Sequence, residues 1–377
     1  MIMNKPAKII LSKKLGLLLI GGEHHILHLI PVAAELEKNS AIETTIYVTT
    51  TREQQACKAV LMGLGASKID VSILTANSIL KRVSPKLAVL LCNLKLWRGL
   101  DALIVAERTS TILRHVSKHL PPFIHIPHGA GDRAKSYDKR IKHFDHVLVA
   151  GSKDKKRMLE LGLVTDDSCH VTGYIKPFAV SLLYPDRPTV FKNNQPTVLY
   201  NPHFNKKLSS WTPYGFDLLE AFAQRQDMNF IIAPHMRLFS KATSRERIKV
   251  EAYAKYDNIH VDLGSKQSTD MTYTRAADIY LGDVSSQVYE FLSTPKPCVF
   301  ISPPNTKWHD NPDYAHWRYG PVCESVADVM ISLAQAQTDT TDYAKVQSEG
   351  CLAALGDPKW NPIDRAAKVV TAILDAP

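Results

Sequence analysis

The sequence predicts an α/β protein of two doubly wound, Rossmann-like parallel-sheet domains that face a central cleft. Short apolar and β-branched runs alternate with helical patterns over nearly the whole chain, which is typical of parallel sheets covered by helices. The pattern restarts after a polar, proline-containing stretch at 184–195, which we interpret as a linker. With 377 residues, the chain is also longer than one hydrophobic core usually supports.

The first predicted domain covers residues 1–184. Its candidate strands are Leu17–Ile20, Thr44–Val48, Ala102–Val105, Phe123–Ile126, His146–Val149 and His170–Thr172. Helical patterns such as 26–38 and 153–161 lie between them. Basic residues precede the first apolar run, but that run is too short for a signal peptide and no small-residue cleavage pattern follows it. We therefore expect a buried strand there.

The second predicted domain covers residues 196–360. Its candidate strands are Val198–Tyr200, Phe230–Ala233, Ile259–Val261, Ile279–Leu281 and Val299–Ile301. Residues 361–377 are predicted to form a C-terminal helix, centred on 363–374, that can cross back to the first domain.

Composition narrows the classes of partner. The formal net charge of +9 predicts attraction to an anion, which could be nucleic acid, anionic lipid or a phosphorylated substrate. The densest basic stretch, 133–157, lacks the interleaved aromatic residues that stack on bases, so we expect no nucleic acid partner. The 6 cysteines are scattered, without a Cys-x-x-Cys pair, which favours a reducing cytoplasm. No segment approaches the roughly 20 apolar residues of a membrane span.

The residues that follow the strands are the candidates for a binding site, because ligands of doubly wound folds bind at the carboxyl ends of strands. In the first domain these residues are Gly21, Gly22, His128, Gly129, Asp132 and Arg133. In the second domain they are Asn201, His203, His235, Arg237, Asp283, Ser285 and Ser286. They predict one cleft lined by glycines, histidines, arginines and serines.

The stretch 278–301 reads as a strand, a Gly-Asp turn, a helix and a second strand. Ser285 and Ser286 fall in the predicted first turn of that helix, where backbone N–H groups and hydroxyls can hold a phosphate. Glu290, farther along the helix, could accept hydrogen bonds from ribose hydroxyls. Together these groups indicate a nucleotide site, although serine caps and a capping-box glutamate are also ordinary features of a helix start.

Two histidines are candidates for chemistry at the cleft. His128, in a glycine-containing turn, could act as a general base near neutral pH. His235, with Arg237 two residues on, could stabilise charge on phosphate oxygens. A structural role in packing or capping is the alternative for both histidines. Aromatic residues at 308–319 could line an acceptor pocket, and we interpret them as a packed loop.

We expect no metal and no cofactor. His24 with His28, and His115 with His119, have the i, i+4 spacing of metal ligands, but neither pair has an evident third ligand. The sequence contains neither a P-loop nor a Gly-x-Ser-x-Gly elbow.

With these residues identified, the sequence resembles the CDP-glycerol glycerophosphotransferases of teichoic-acid and capsule synthesis, which have the GT-B fold. The resemblance rests on Gly282-Asp283-Val284-Ser285-Ser286, on Glu290-Phe291, on His128-Gly129 and on Pro234-His235. It implies that His128 is the base and that His235 and Arg237 bind the transferred phosphate. It also implies that the serine pair binds the diphosphate and Glu290 the ribose.

Two features depart from that family. The His-Gly element usually continues with Thr-Pro, whereas here it continues Ala130-Gly131-Asp132-Arg133. The stretch from Gly22-Glu23 to Val32 is also similar to UDP-N-acetylglucosamine 2-epimerases, another GT-B group. Those enzymes generally have Gly-Gly where this chain has Ser285-Ser286, which favours the transferase.

The resulting hypothesis is a transferase that moves a polyol phosphate, such as glycerol phosphate, from a CDP-activated donor to a hydroxyl of a cell-surface glycopolymer or its lipid-linked precursor, releasing CMP. Asn201, His203, Asp283 and the groups named above would bind the donor, and Gly21, Gly22, Gly129, Asp132 and Arg133 would form an acceptor or phosphate loop. The basic charge would hold the enzyme to the anionic inner face of the cell membrane. The alternatives are an NDP-sugar glycosyltransferase, a UDP-sugar 2-epimerase, and a non-catalytic nucleotide- or polymer-binding module.

Overall fold

The computed structural model describes residues 12–77, 82, 84–338 and 343–376. Two parallel β-sheets form its framework. The first sheet has 7 strands in the order β3-β2-β1-β4-β5-β6-β7, and the second has 6 strands in the order β10-β9-β8-β11-β12-β13. In both sheets the strand order reverses beside the first strand, as in doubly wound nucleotide-binding folds.

The first sheet is built from the N-terminal part of the chain. Its strands are β1 (Lys13–Leu18), β2 (Ile42–Val48), β3 (Asp70–Ile73), β4 (Ala102–Val105), β5 (Phe123–His125), β6 (His146–Val149) and β7 (Cys169–Val171). Leu17 of β1 lies opposite Ile46 of β2 and Ile104 of β4. Apolar side chains therefore meet along the middle of this sheet.

The second sheet begins after residue 196. Its strands are β8 (Thr197–Asn201), β9 (Asn229–Ile232), β10 (Ile259–Val261), β11 (Ile279–Gly282), β12 (Cys298–Ile301) and β13 (Val322–Cys323). Leu281 of β11 lies opposite Tyr200 of β8 and Val299 of β12. Every residue of β8, β11 and β12 is buried, as expected for central parallel strands covered on both faces.

Helices connect and cover the strands. The α-helices are α1 (Ile26–Leu36), α2 (Thr51–Gly63), α3 (Pro85–Cys92), α4 (Leu94–Trp97), α5 (Leu113–Val116), α6 (Ser152–Glu160), α7 (Ile175–Leu183), α8 (Trp211–Ala223), α9 (Ser244–Glu251), α10 (Thr272–Ala276), α11 (Gln287–Phe291), α12 (Val326–Thr338), α13 (Ala344–Leu355) and α14 (Pro362–Asp375). Short 3₁₀ helices include Glu23–His25, Ala134–Ser136 and Pro312–Tyr319. Local sequence explains several helix starts: Thr50 with Glu53, and Thr243 with Glu246, form capping boxes before α2 and α9.

All the strands predicted from the sequence are confirmed, with shifts of a few residues at their ends. Two strands escaped prediction, β3 and β13, and each lies at an edge of its sheet. In β3, Asp70 and Ile73 are exposed, while β13 has 2 residues. Two residues are too few to show a period, so β13 leaves no pattern, whereas the Asp-Val-Ser-Ile alternation of β3 spans 4 residues, the lower limit of a readable strand pattern.

The C-terminal helix α14 packs on the first sheet domain. Ile363, Ala366 and Val370 are buried in the same hydrophobic cluster as Leu29 and Ile30 of α1. Thus the last helix of the chain belongs to the core around β1 and lies far in sequence from its partners. Among the described residues, no helix combines the length and apolar character needed to cross a bilayer.

Candidate active site

The loops that follow the strands meet between the two sheets. Each sheet has a switch point, between β1 and β4 in the first and between β8 and β11 in the second. The carboxyl ends of parallel strands share one edge, and the switch point leaves a crevice there. The glycine pair after β1 and the Gly-Asp turn after β11 both lie at such positions.

The His128 loop, residues 127–133, touches the serine turn of the opposite domain. A side chain at Gly131 would place its Cβ 3.1 Å from the Cβ of Ser286, so a larger residue would push the two loops apart. Gly129 has a φ of +133°, a conformation that favours glycine. The glycines therefore permit the close approach of two loops from different domains.

This contact borders a cavity of about 190 Å³ between the domains. Its lining residues are Gly131, Asp132, Arg133, Ser136, His203, Phe204, His235, Val284, Ser285, Ser286, Tyr289 and His316. The structure thus brings together six residues that the sequence singled out, Asp132, Arg133, His203, His235, Ser285 and Ser286. The other candidates lie outside this lining.

The serine turn differs in detail from its prediction. Helix α11 begins at Gln287 and has 5 residues, and Ser286 is its N-cap. Ser285 is buried, and its Oγ accepts a 3.4 Å hydrogen bond from the Gln287 N–H, whereas Ser286 is exposed. A helix this short has a small dipole, so hydroxyl and backbone groups of the turn are the main donors available to a ligand.

Asp283 supports the loops from within. Its buried carboxylate accepts hydrogen bonds from the backbone N–H groups of His203, Ser210 and Val284 and from the Ser210 hydroxyl. Burial raises the pKa of Asp283 to about 6, against the lowering effect of these bonds. Because the carboxylate is hydrogen-bonded to these protein groups, Asp283 positions the His203 loop and the serine turn.

Asp132 joins the two domains. Its buried carboxylate accepts hydrogen bonds from Lys153 Nζ at 2.7 Å, from the Tyr289 hydroxyl at 2.7 and 2.8 Å, and from His316 Nδ1 at 2.9 Å. Burial alone would raise the pKa of Asp132, but the hydrogen bond from His316 and the charge of Lys153 outweigh it and hold that pKa below its usual range. Asp132 therefore stays ionised and fixes the His128 loop against the second domain.

His316 also faces an acceptor on its other side. Its Nε2 lies 3.0 Å from the backbone carbonyl oxygen of Asp283, which also accepts from Trp317 Nε1. The ring of His316 therefore lies between the carboxylate of Asp132 and the backbone of Asp283, and it connects the His128 loop to the serine turn.

His235 presents a donor to the cavity. Its Nδ1 accepts a hydrogen bond from the backbone N–H of Arg237 at 3.2 Å, which places the proton of the neutral ring on Nε2. Burial, and then the charges of Arg237 and Arg133, lower the pKa of His235 to about 4. Arg237 itself is exposed and lies over the ring of Phe204, 4.2 Å from its centroid.

Arg133 crosses the cleft to His203. Its guanidinium lies 2.8 Å from His203 Nε2, while His203 Nδ1 accepts from the backbone N–H of Asn205 at 3.0 Å. Both partners of the ring are donors, yet a neutral imidazole has one acceptor nitrogen. The Arg133 contact is therefore imperfect, and a phosphate oxygen would be a better acceptor for this guanidinium.

His128 lies beside the cavity, among other histidines. Its ring centroid is 4.3 Å from that of His25 and 5.4 Å from that of His24. The His128 side chain is exposed, but enough protein surrounds the ring that desolvation lowers its pKa, with the Glu107 carboxylate opposing. Gly21 is needed at this point, because a Cβ there would overlap both His25 and Glu107.

Glu290 is buried and paired in the structure. Its Oε1 accepts a hydrogen bond from Lys176 Nζ at 2.6 Å and another from the Tyr174 hydroxyl at 3.4 Å. Its Oε2 is buried and has no hydrogen-bond partner among the described residues. The same is true of Asn201 Oδ1, whose amide nitrogen donates to the Ala233 carbonyl.

Sequence reasoning missed the partners that hold the site together. Tyr289, His316, Lys153 and Glu107 each contact a predicted residue, but all four contacts span more than 20 positions of sequence. His24 and His25 were visible as a histidine pair directly after β1. The i, i+4 pairing drew attention to His28 instead, whose ring lies 5.8 Å from that of Tyr174.

The basic stretch at 133–157 is partly neutralised by local carboxylates. Its ion pairs are Arg140 with Asp138, Lys153 with Asp132, Lys155 with Asp166, Lys156 with Glu160 and Arg157 with Asp313. Two of them, at Lys153 and Arg157, connect this stretch to residues around the cavity. Part of the charge therefore serves the site itself.

Comparison with known proteins finds solved structures of similar architecture. No protein-family model and no curated protein sequence matches the chain. The structure is similar to the S. aureus MnaA–UDP structure, with a TM-score of 0.68, 14% identity and 97% of each chain covered. It is similar to UDP-GlcNAc 2-epimerase from Neisseria meningitidis bound to UDP-GlcNAc, with a TM-score of 0.64, 16% identity and 96% of this chain and 99% of the other covered.

The wall teichoic acid polymerase TagF is also similar, with a TM-score of 0.63, 10% identity and 97% of this chain and 88% of the other covered. At these identities the likeness shows the fold. The prediction of two facing Rossmann-like domains in the GT-B arrangement is confirmed.

Proposed function

We propose that this chain is a GT-B transferase that moves glycerol phosphate, or a related polyol phosphate, from a CDP-activated donor to a hydroxyl of a cell-surface glycopolymer or its lipid-linked precursor. The main observation in favour of this function is that the His128 loop contacts the serine turn, at Gly131 and Ser286. This contact lies beside a cavity that Arg133 and His235 also line. Groups that can donate to a diphosphate, Arg133 and Ser286, thus lie in or against the loop that carries His128. The sequence motifs and the likeness to TagF support the choice of donor.

The donor phosphates would lie between the domains. His235 offers its Nε2–H, Arg133 offers a guanidinium whose present acceptor is poor, and Ser286 offers an exposed hydroxyl. All three can donate to phosphate oxygens. As the bond to CMP breaks, these donors would stabilise the charge that develops on the leaving phosphate.

The acceptor would approach from the side of His128. The lowered pKa keeps this imidazole neutral at pH 7, so it can take the proton of an acceptor hydroxyl. The acceptor oxygen then forms a bond to the distal phosphorus of the donor, the bond between that phosphorus and the bridging oxygen breaks, and CMP leaves. The proton stays on His128 until product release.

Ribose binding would use atoms that lack partners in the present arrangement. Glu290 Oε2 is a buried acceptor without a partner among the described residues, and a ribose hydroxyl would satisfy it. The cavity of about 190 Å³ is smaller than the roughly 300–1,000 Å³ typical of ligand pockets. The domains would therefore separate to admit the nucleoside, and the contact between Glu290 and Lys176 would open or turn.

A UDP-sugar 2-epimerase is the second candidate. The likeness of the structure to the MnaA–UDP structure and to UDP-GlcNAc 2-epimerase from Neisseria meningitidis favours it. Both candidates require a nucleotide diphosphate at the serine turn. They differ in products, since the transferase releases CMP and the epimerase converts one UDP-sugar into its C2 epimer.

One experiment separates the candidates. The protein is incubated with CDP-glycerol, CDP-ribitol or UDP-N-acetylglucosamine and a panel of acceptors, and nucleotides and sugars are resolved by chromatography and NMR. We expect CMP release with a CDP donor, abolished in His128→Ala and preserved in His115→Ala. Epimerisation of the UDP-sugar without CMP release would replace the transferase with the epimerase. Nucleotide binding without any turnover would indicate a binding module.

Association with the membrane is part of the same proposal. A lipid-linked acceptor would be reached at the inner face of the membrane, and the +9 formal charge of the chain favours an anionic surface. Co-sedimentation with vesicles of phosphatidylglycerol, compared with phosphatidylcholine, tests this. Binding to the anionic vesicles that weakens with added salt is expected, and equal recovery with both lipids contradicts it.

A further inference from the structure

We propose that His24, His25 and His128 form a binding site for a divalent transition-metal ion of the zinc type. Each ring offers one nitrogen, and the three nitrogens lie within 4.8 Å of one another. In a tetrahedral zinc site with Zn–N distances of about 2.0–2.1 Å, ligand nitrogens are about 3.4 Å apart. Small rotations of the rings would therefore complete the coordination.

His25 provides independent evidence that something binds here. Its side chain is 0% exposed, and neither Nδ1 nor Nε2 has a hydrogen-bond partner among the described residues. A buried polar group without a partner costs about 1–3 kcal/mol, and native proteins rarely leave one. Coordination of a metal ion would give one of these nitrogens its missing partner.

The surroundings of the three rings suit a cation. Imidazole nitrogens are common ligands of zinc. The two ammonium groups nearby are already paired, Lys86 with Glu107 at 2.9 Å and Lys176 with Glu290 at 2.6 Å.

The open side of the ion would lie on the side of His128, whose ring is exposed. Three histidines and one open position are the arrangement of catalytic zinc sites. Glu107 lies next to His25, where Gly21 makes room for both. A carboxylate so close to the ion could accept a proton from an oxygen bound to it.

The ion would change the part played by His128 in the proposed transfer. The acceptor oxygen would bind the ion, its proton would pass to the Glu107 carboxylate, and the oxygen would form its bond to phosphorus as CMP leaves. His128 would then serve as a ligand. This step rests on the proposed function, whereas ion binding by the three histidines does not.

The test measures ion binding without any substrate. The full chain is stripped with a chelator and titrated with Co²⁺, whose visible absorption reports its coordination, and Zn²⁺ is then used to displace it. We expect one ion per chain. Loss of a residue that merely orients a ligand costs about 10–100-fold in affinity, so His24→Ala and His128→Ala should each weaken binding at least about 10-fold. His115→Ala, outside the cluster, is the matched control.

Circular dichroism confirms the folding of each variant. Because His128 is exposed, its substitution still tests the site if His24→Ala impairs folding. Absence of stoichiometric binding, or unchanged affinity in both variants, overturns the proposal. An ion bound without CMP release from any CDP donor supports the metal site and counts against the proposed transferase. Transfer at full rate by chelator-stripped, metal-free protein supports the transferase and overturns the role of the ion.

Discussion

The ion pair between Lys176 and Glu290 offers the sharpest test of how the two domains are held together. Lys176 belongs to α7 and Glu290 to α11, and their side chains are 5% and 10% exposed. Lys176 Nζ also donates to the Thr269 carbonyl at 2.7 Å. The pair therefore joins the domains in a site almost free of water.

The substitution Lys176→Met keeps most of the side-chain volume and removes the charge. It leaves the Glu290 carboxylate buried with the distant Tyr174 hydroxyl, at 3.4 Å, as its remaining partner. Breaking a buried pair by removing one member typically costs about 3–5 kcal/mol, because the other charge is left uncompensated. We expect a loss of stability in that range, and a similar loss for Glu290→Leu.

The double variant Lys176→Met/Glu290→Leu separates the cost of an orphaned charge from the value of the pair. Replacing both charges with apolar groups is often neutral or stabilising, so the double variant should recover most of the loss. The coupling energy from the mutant cycle should then be about 3 kcal/mol or more, of the sign that favours the pair.

Equilibrium unfolding in urea, followed by tryptophan fluorescence, measures these free energies. The exposed helical pair of Lys368 and Asp364, at 2.8 Å, supplies the control, and Lys368→Met should cost less than about 0.5 kcal/mol. A cost below about 1 kcal/mol for Lys176→Met, or single effects that simply add in the double variant, would show that Glu290 is not left as an uncompensated buried charge.

Three further predictions follow from the site. The free energy of unfolding should fall as pH drops from 6.5 toward 4, because His235 gains a proton in the unfolded chain before it does in the folded chain. The difference between the two pKa values of His235 corresponds to about 3 kcal/mol. His235→Gln should therefore reduce this pH dependence, as measured by urea unfolding. Asp132→Asn should cost about 3–5 kcal/mol in the same assay, whereas the exposed Asp167→Asn should stay within about 0.5 kcal/mol. Gly131→Val should separate the loops at the cleft and weaken the binding of CDP by more than about 10-fold, or about 1.4 kcal/mol. Calorimetry measures this affinity, with Gly99→Val as the control. An affinity unchanged from that control would contradict the proposed donor position.

Much of the fold was predictable because it is encoded locally. Buried parallel strands such as β4 and β12 are continuous apolar runs, which can be recognised without knowing their distant partners. Strand β13 was missed because 2 residues show no period, and β3 because its alternation spans 4 residues and one of its two apolar side chains, Ile73, is exposed. Helix α11 begins at Gln287, one or two residues after the serines at which it was predicted to begin, because local signals define helix ends poorly.

The candidate site was predictable in part for the same reason. The rule that ligands meet the carboxyl ends of parallel strands selected Arg133, His203, His235 and the serine pair, and the structure gathers these residues around one cavity. The same rule could not predict the hydrogen-bond partners of Asp283 and Glu290. Both follow or lie near a strand end, as a ligand-binding residue would, but their carboxylates accept hydrogen bonds from protein groups.

The α/β class, the two sheets and the loops at the strand ends are encoded locally, since periodicity and turn residues act over a few positions. What those loops contact depends on the packing of the whole chain. Gly131 meets Ser286, Asp132 meets His316 and Glu290 meets Lys176 because the two sheet domains pack against each other in one orientation. The approach of His25 to His128 likewise depends on how β1 and β5 lie across β4. Such contacts join residues far apart in the chain, and local pattern carries no record of them.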